Sequence, residues 1–180
     1  MALSKIDTAA IATDAIEAAQ LKSDAIAVGD LPTGSIIQVT QGTTFTGNYS
    51  NNTNSWTDST LEVSITPSSS SNKIMVQFSG AIRCYNTSGN DASGAWRIYR
   101  KIGSGSYAQL SNHEMTHRAY DYGGSGLIND VPLNIQYLDS PSTTSAVSYK
   151  LYGNKMAGSQ IELNPDGQDE SYAFAMEVVG

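Results

Sequence analysis

From residue 35 onward, apolar side chains return at every second position in one short segment after another. A period of two places one side of an extended strand in a core and the other in water. In "STLEVSITP", Leu61, Val63 and Ile65 share a face; in "KIMVQFSGAI", Ile74, Val76, Phe78 and Ile82 do. "DVPLNIQYLD" aligns Val131, Leu133, Ile135 and Tyr137, and "SAVSYKLYG" aligns Val147, Tyr149 and Leu151. "SYAFAMEVV" aligns Tyr172, Phe174, Met176 and Val178. Shorter candidates lie at 35–41, 95–101, 106–110 and 159–163, with Gly, Ser, Asn and Pro clusters such as "PSSSSN", "TSGNDASG" and "NPDGQ" as turns between them. About nine half-buried strands without an intervening helical pattern predict an all-β fold, an antiparallel sandwich or barrel.

Residues 6–31 follow another rule. Ile6, Ile11, Ile16, Leu21, Ile26 and Leu31 recur every fifth residue, and "TDAI" at 13–16 returns as "SDAI" at 23–26. In a helix that spacing advances about 500°, so successive apolar groups sit about 140° apart and form no stripe. In a strand it alternates faces. A lone copy buries almost nothing, and association of several identical arms around an axis is the simplest escape. A disordered leader, a frayed amphipathic helix and a short solenoid are the alternatives. Gly29, Pro32 and Gly34 mark the change of pattern. The expected division is an arm at 1–31 for trimerisation or docking, and a sandwich at 32–180.

Charge and cysteine content remove several functions. The net charge is −7 and the ten Lys and Arg are scattered, so no basic stripe is available for nucleic acid. No apolar run reaches the length of a membrane span, and no basic-then-apolar leader opens the sequence. The single cysteine, Cys84, leaves no internal disulfide and suits a reducing compartment.

The sharpest catalytic motif is "HEMTH" at 113–117, a formal HExxH. On a helix, i and i+4 histidines meet one zinc ion and the glutamate activates water. Here the flanks are strand-like. In an extended segment His113 and His117 share a face about 13 Å apart, too far for one ion. Tyr120 and Gly123 stand where the longer motif needs glycine and a third histidine. A zinc-dependent hydrolase using Glu114 is the remote alternative, and a metal shared between subunits at His117 a more distant one. "NPDGQDE" lacks calcium-loop spacing and reads as a turn; Cys84 reads as a small core residue. No catalytic residue, metal or other cofactor is expected. Segments 84–94 and 111–130 exceed ordinary hairpin turns, and long loops on rigid sheets carry binding. The second holds His117, Arg118, Tyr120, Asp121 and Tyr122, an aromatic and polar set suited to sugars or to packing between subunits.

The leader "IATDAIEAAQLKSDAIAVGDLP" followed by "GSIIQVTQ", the segment "ITPSSSSNKI" at 65–74, "SPSTTSAVSYKLYG" and the closing "YAFAMEVVG" resemble a family of small tail-fibre or virion-appendage proteins of tailed bacteriophages, notably marine and cyanobacterial ones. Residues 85–126 fall outside the resemblance. It implies a homotrimer whose arms attach to other virion proteins and whose head resembles the tumour-necrosis-factor-like jelly roll. It also implies assembly in the host cytoplasm and residence in the virion. The function expected from it is non-enzymatic: a tail fibre recognising a host surface glycan or protein, or, alternatively, a capsid decoration or head-fibre protein.

Overall fold

The computed structural model describes residues 27, 30–122, 126–167 and 169–180. The chain divides into two units, Met1–Pro32 and Thr33–Gly180. Of the pentad positions, Ile6, Ile11, Ile16, Leu21 and Ile26 lie outside the described residues; Leu31 is described and half-buried.

The second unit carries strands β1 (Ile36–Gln41), β2 (Tyr49–Asn51), β3 (Thr57–Ile65), β4 (Lys73–Asn86), β5 (Asp91–Ile102), β6 (Ala108–Tyr120), β7 (Leu127–Asp139), β8 (Val147–Ala157), β9 (Gln160–Leu163) and β10 (Tyr172–Val178), with a short 3-10 turn at Pro165–Gly167. All pairings between them are antiparallel. One sheet runs β3-β8-β5-β6. The other is organised by β4, whose whole length pairs with β7 on one edge. Its opposite edge takes β10 along 73–79 and β9 along 82–85, so β9 and β10 lie end to end. β1 flanks β10 and β2 flanks β9. Orders β1-β10-β4-β7 and β3-β8-β5-β6, with repeated crossings between sheets, make this a jelly-roll-like sandwich.

The core lies between the sheets, where Leu61, Val63, Ile74, Val76, Phe78, Ile82, Leu133, Ile135, Tyr149 and Leu151 point inward as their alternation requires, around a fully buried Trp96. Two departures from the sequence pattern matter. In β10 the inward residues are Ala173, Ala175 and Glu177, while Tyr172, Phe174, Met176 and Val178 face outward. Small alanines let β10 sit tightly over the core. Residues 84–94 and 111–130 are mostly strand: β4 and β5 are joined by 87–90, and β6 and β7 by 121–126.

Two polar knots fix the sandwich at one end. Asp139, 4% exposed, accepts from Arg100 Nη1 at 2.7 Å and from the Tyr149 hydroxyl at 2.8 Å. Burial, then the Asp139 charge, raises the Tyr149 phenol above its ordinary range, which keeps it a donor. Glu177, 1% exposed, accepts on Oε1 from Ser68 N, Ser68 Oγ and Asn72 Nδ2 at 2.6–2.8 Å. The serine-rich turn between β3 and β4 is therefore pinned to the last strand.

Candidate functional site

The outward side of the six-stranded sheet is built from register. Val39 pairs with Met176, Met176 with Met75, and Met75 with Leu138. Four strands thus contribute one unbroken apolar row. A bulge between Ile36 and Gln38 puts Ile36 in step with Val178 on the same side as Val39, despite their odd spacing. Ile36, Val39, Ile128 and Leu138 are 57%, 60%, 67% and 44% exposed. The next row, Gln41, Phe174, Gln77 and Gln136, is uncharged. Gln77 and Gln136 both donate to Asn134 Oδ1 (3.5 and 3.3 Å). Among the described residues the charges lie at the margins of this face: Lys73 at one end, and at the other Arg83, held by Asp130 (2.6 Å), Asp166 (2.9 Å) and Glu162 (3.5 Å). Hydrogen bonds from Arg83 and its charge pull the Asp130 carboxyl below its ordinary value.

The outward side of the four-stranded sheet has the opposite character. Arg97 lies 4.4 Å over the Trp56 ring and pairs with Glu114 at 2.6 Å. Lys150 bridges Asp58 (2.8 Å) and Glu62 (3.5 Å), and the Tyr107 hydroxyl donates to Glu62. Burial and the adjacent Glu62 raise the Tyr107 phenol, so Tyr107 keeps its proton. Tyr99 and Tyr152 stack at 3.9 Å between ring centroids. Cations and carboxylates alternate and largely cancel, a surface suited to water.

The residues singled out from sequence separate. Arg118, Tyr120 and Tyr122 gather on the exposed side at the end of β6. Tyr120 and Tyr122 meet edge to face at 4.7 Å between centroids, and Tyr122 is 93% exposed. Arg118 is clamped to Asp91 at 2.7 Å, which raises the guanidinium pKa, and Asn90 donates to the Tyr120 hydroxyl at 3.3 Å. Asp121 is exposed next to them. His117 is not part of this group. It pairs with Gly94 on the core side of β6 and is only 8% exposed. Strand alternation explains the split, since 117 and 119 face inward while 118 and 120 face outward.

"HEMTH" lies in β6, so its histidines never share a helical face. Their surroundings differ as well. Register jumps from Arg97–Glu114 to Tyr99–Gln109, the intervening residues bulge, and His113 is exposed while His117 is buried. Glu114 is committed to Arg97. Among the described residues no group of three or more His, Cys, Asp or Glu is placed to hold a metal ion. Cys84 is fully buried and burial pushes its thiol up to about 11, so it packs rather than attacks. The "NPDGQDE" segment forms the 3-10 turn that delivers Asp166 to Arg83.

The apolar row across β1, β10, β4 and β7 was not singled out by the sequence reading. A signal existed: Met75 and Leu138 occupy polar-phase positions of otherwise alternating strands. Their alignment across four strands exists only once register is set.

No protein-family model matches the chain. No curated protein matches it either. Among solved structures, the chain is similar to the infectious bursal disease virus VP2 subviral particle, at 18% identity and a TM-score of 0.38 over 79% of this chain and 33% of that one. A structure of the Gt strain of the same virus matches at 16% identity and a TM-score of 0.36, covering 82% of this chain and 34% of the other. The chain thus spans about a third of the chains it matches.

Proposed function

We propose that this protein is a non-enzymatic bacteriophage virion component, a homotrimeric tail fibre whose head packs through the outward face of the six-stranded sheet. The arm at 1–31 attaches it to other virion proteins, and the exposed end of β6 meets a host surface glycan or protein. The observation that carries the trimer is the row Val39–Met176–Met75–Leu138 with its uncharged surroundings. Contiguous exposed apolar side chains are costly on a monomer, and a charge-depleted, methionine-bearing patch with charges at its rim has the anatomy of a subunit interface. The mutually neutralised opposite face supplies the contrast. The sequence resemblance of the arm and of "ITPSSSSNKI" supports the virion setting.

Light scattering on the full chain tests the trimer. The expected mass is three times the 19.1 kDa chain. Met75→Asp with Leu138→Asp places charges in the middle of the row and is expected to give folded monomers. A monomeric native chain, or a trimer indifferent to both substitutions, overturns this packing. Labelling particles with an antibody to the head then separates the tail position from the capsid-decoration alternative.

A further inference from the structure

His117 is a polar group that the fold buries and leaves without a partner. Neither Nδ1 nor Nε2 has a hydrogen-bond partner, and the neighbouring Trp96 Nε1 on the same inward side of β5 is likewise unpaired. The ring lies where Gly94 stands opposite on β5; a Cβ on Gly94 would meet Ile161 Cγ2 at 2.4 Å, so this corner is tightly closed. The elements packed against β6 bring no countercharge. β5 faces inward with Ala92, Gly94 and Trp96, and β4 with Ile82 and Cys84. β7 presents Leu127, Asn129 and Val131 on its side toward the core. Cys84 is the titratable group among them, and its thiol is protonated. In the same row, β8 sets Lys155 opposite Gly94, its ammonium donating to Gly158 O at 3.2 Å, a cation that gives a protonated imidazole no relief. The other charged neighbours, Asp91 with Arg118 and Arg83 with Asp130, lie on the two outward faces and are paired.

We propose that His117 makes the end of β6 acid-labile: protonating the imidazole opens the strand end and releases the exposed Tyr120–Tyr122 pair. A charged imidazole cannot remain in an apolar corner without a partner, whereas in water it is solvated. β6 is an edge strand paired only with β5, so opening breaks one ladder. What holds its far end is a hydrogen bond from Asp121 N to Asn90 O (2.9 Å), the Asn90–Tyr120 contact and the Arg118–Asp91 pair. Burial lowers the His117 pKa from 6.5, and it is the sole cause of that shift. The open form therefore binds protons first as pH falls, and the closed form is favoured fully only above about 6.5. Below 6.5 the open population rises by at most about tenfold per pH unit for as long as the closed imidazole stays neutral. This device stands apart from the trimer, since it uses the sandwich interior.

The test is hydrogen exchange by mass spectrometry on the full chain at pH 7.5 and 5, corrected for the intrinsic pH dependence of exchange, with NMR titration of His117. The expected result is a loss of protection of roughly tenfold or more over 114–120, with β3 and β8 unchanged. His117 should titrate below the ordinary imidazole value of 6.5, and His117→Leu should abolish the pH effect. Titration of His117 at or above 6.5, unchanged protection at pH 5, or an equal loss in His117→Leu overturns the proposal. Should His117→Leu fail to fold, His117→Met serves the same purpose, and the native titration decides alone if neither folds.

Discussion

Replacing Glu177 by Gln removes one negative charge from the interior and leaves the shape almost intact. The carboxylate accepts three hydrogen bonds on Oε1, from Ser68 N (2.6 Å), Ser68 Oγ (2.8 Å) and Asn72 Nδ2 (2.7 Å). Turned so that its Nε2 faces the carboxylate, Gln38 donates to Oε2 at 3.1 Å. A bond to a charged acceptor contributes about 1.5–3 kcal/mol, and one between neutral partners about 0.5–1.5 kcal/mol. Neutralising the acceptor thus weakens each Oε1 bond by about 1 kcal/mol, or about 3 kcal/mol together. For a domain of this size the melting temperature should fall by about 6–12 °C. Burial pushes this carboxyl up, but the hydrogen bonds from Asn72 and Ser68 outweigh it and hold the pKa below 4.5. The unfolded chain therefore takes up the proton first as pH falls. The advantage of Glu over Gln is whole above pH 4.5 and disappears as pH drops through the folded value. Urea unfolding at fixed protein concentration, at pH 7 and pH 3, measures both effects. A difference under about 0.5 kcal/mol at pH 7, or one that does not shrink between pH 7 and pH 3, refutes the reasoning.

Other substitutions probe separate features. Asp139→Asn leaves Arg100 without its anionic partner and weakens the Tyr149 hydrogen bond, and should cost about 2–4 kcal/mol in chemical unfolding. Gly42→Ala drives a Cβ to 2.0 Å from the Glu62 carbonyl oxygen, so soluble yield and melting temperature should both fall sharply. Thr60 holds φ at +68°, unfavourable for a β-branched residue, and Thr60→Gly should gain about 1 kcal/mol in urea unfolding. Tyr120→Ala with Tyr122→Ala should abolish attachment to host cells while leaving the melting temperature within a degree or two, because both rings are exposed.

The strands were legible because each writes its burial into consecutive residues. Leu61, Val63 and Ile65, or Leu133, Ile135 and Tyr137, face the core as their spacing requires. β10 misled in the sense of its faces: its large side chains point outward, while the fully buried Ala173 and Ala175 face the core and the buried Glu177 answers a turn over a hundred residues away. The candidate site was legible only in part. Exposure of Arg118 and Tyr120 follows from their parity along β6, and so does the burial of His117, once the start of the strand and its bulge are known; Tyr122 lies beyond the strand end. Neither is written in the motif "HEMTH" itself.

By itself the sequence determined an all-β domain, most of its strand positions and the inward residues of β3, β4, β7 and β8, since these depend on neighbours two residues apart; β2 and most of β6 carry no such alternation and were not legible. Tertiary structure alone decided which strands are adjacent, and with that the row Val39–Met176–Met75–Leu138, the Glu177 knot and the closed corner around His117. Register is a relation between segments far apart in the chain. It is fixed by the collective fit of two sheets, so no local pattern encodes which side chains meet across it.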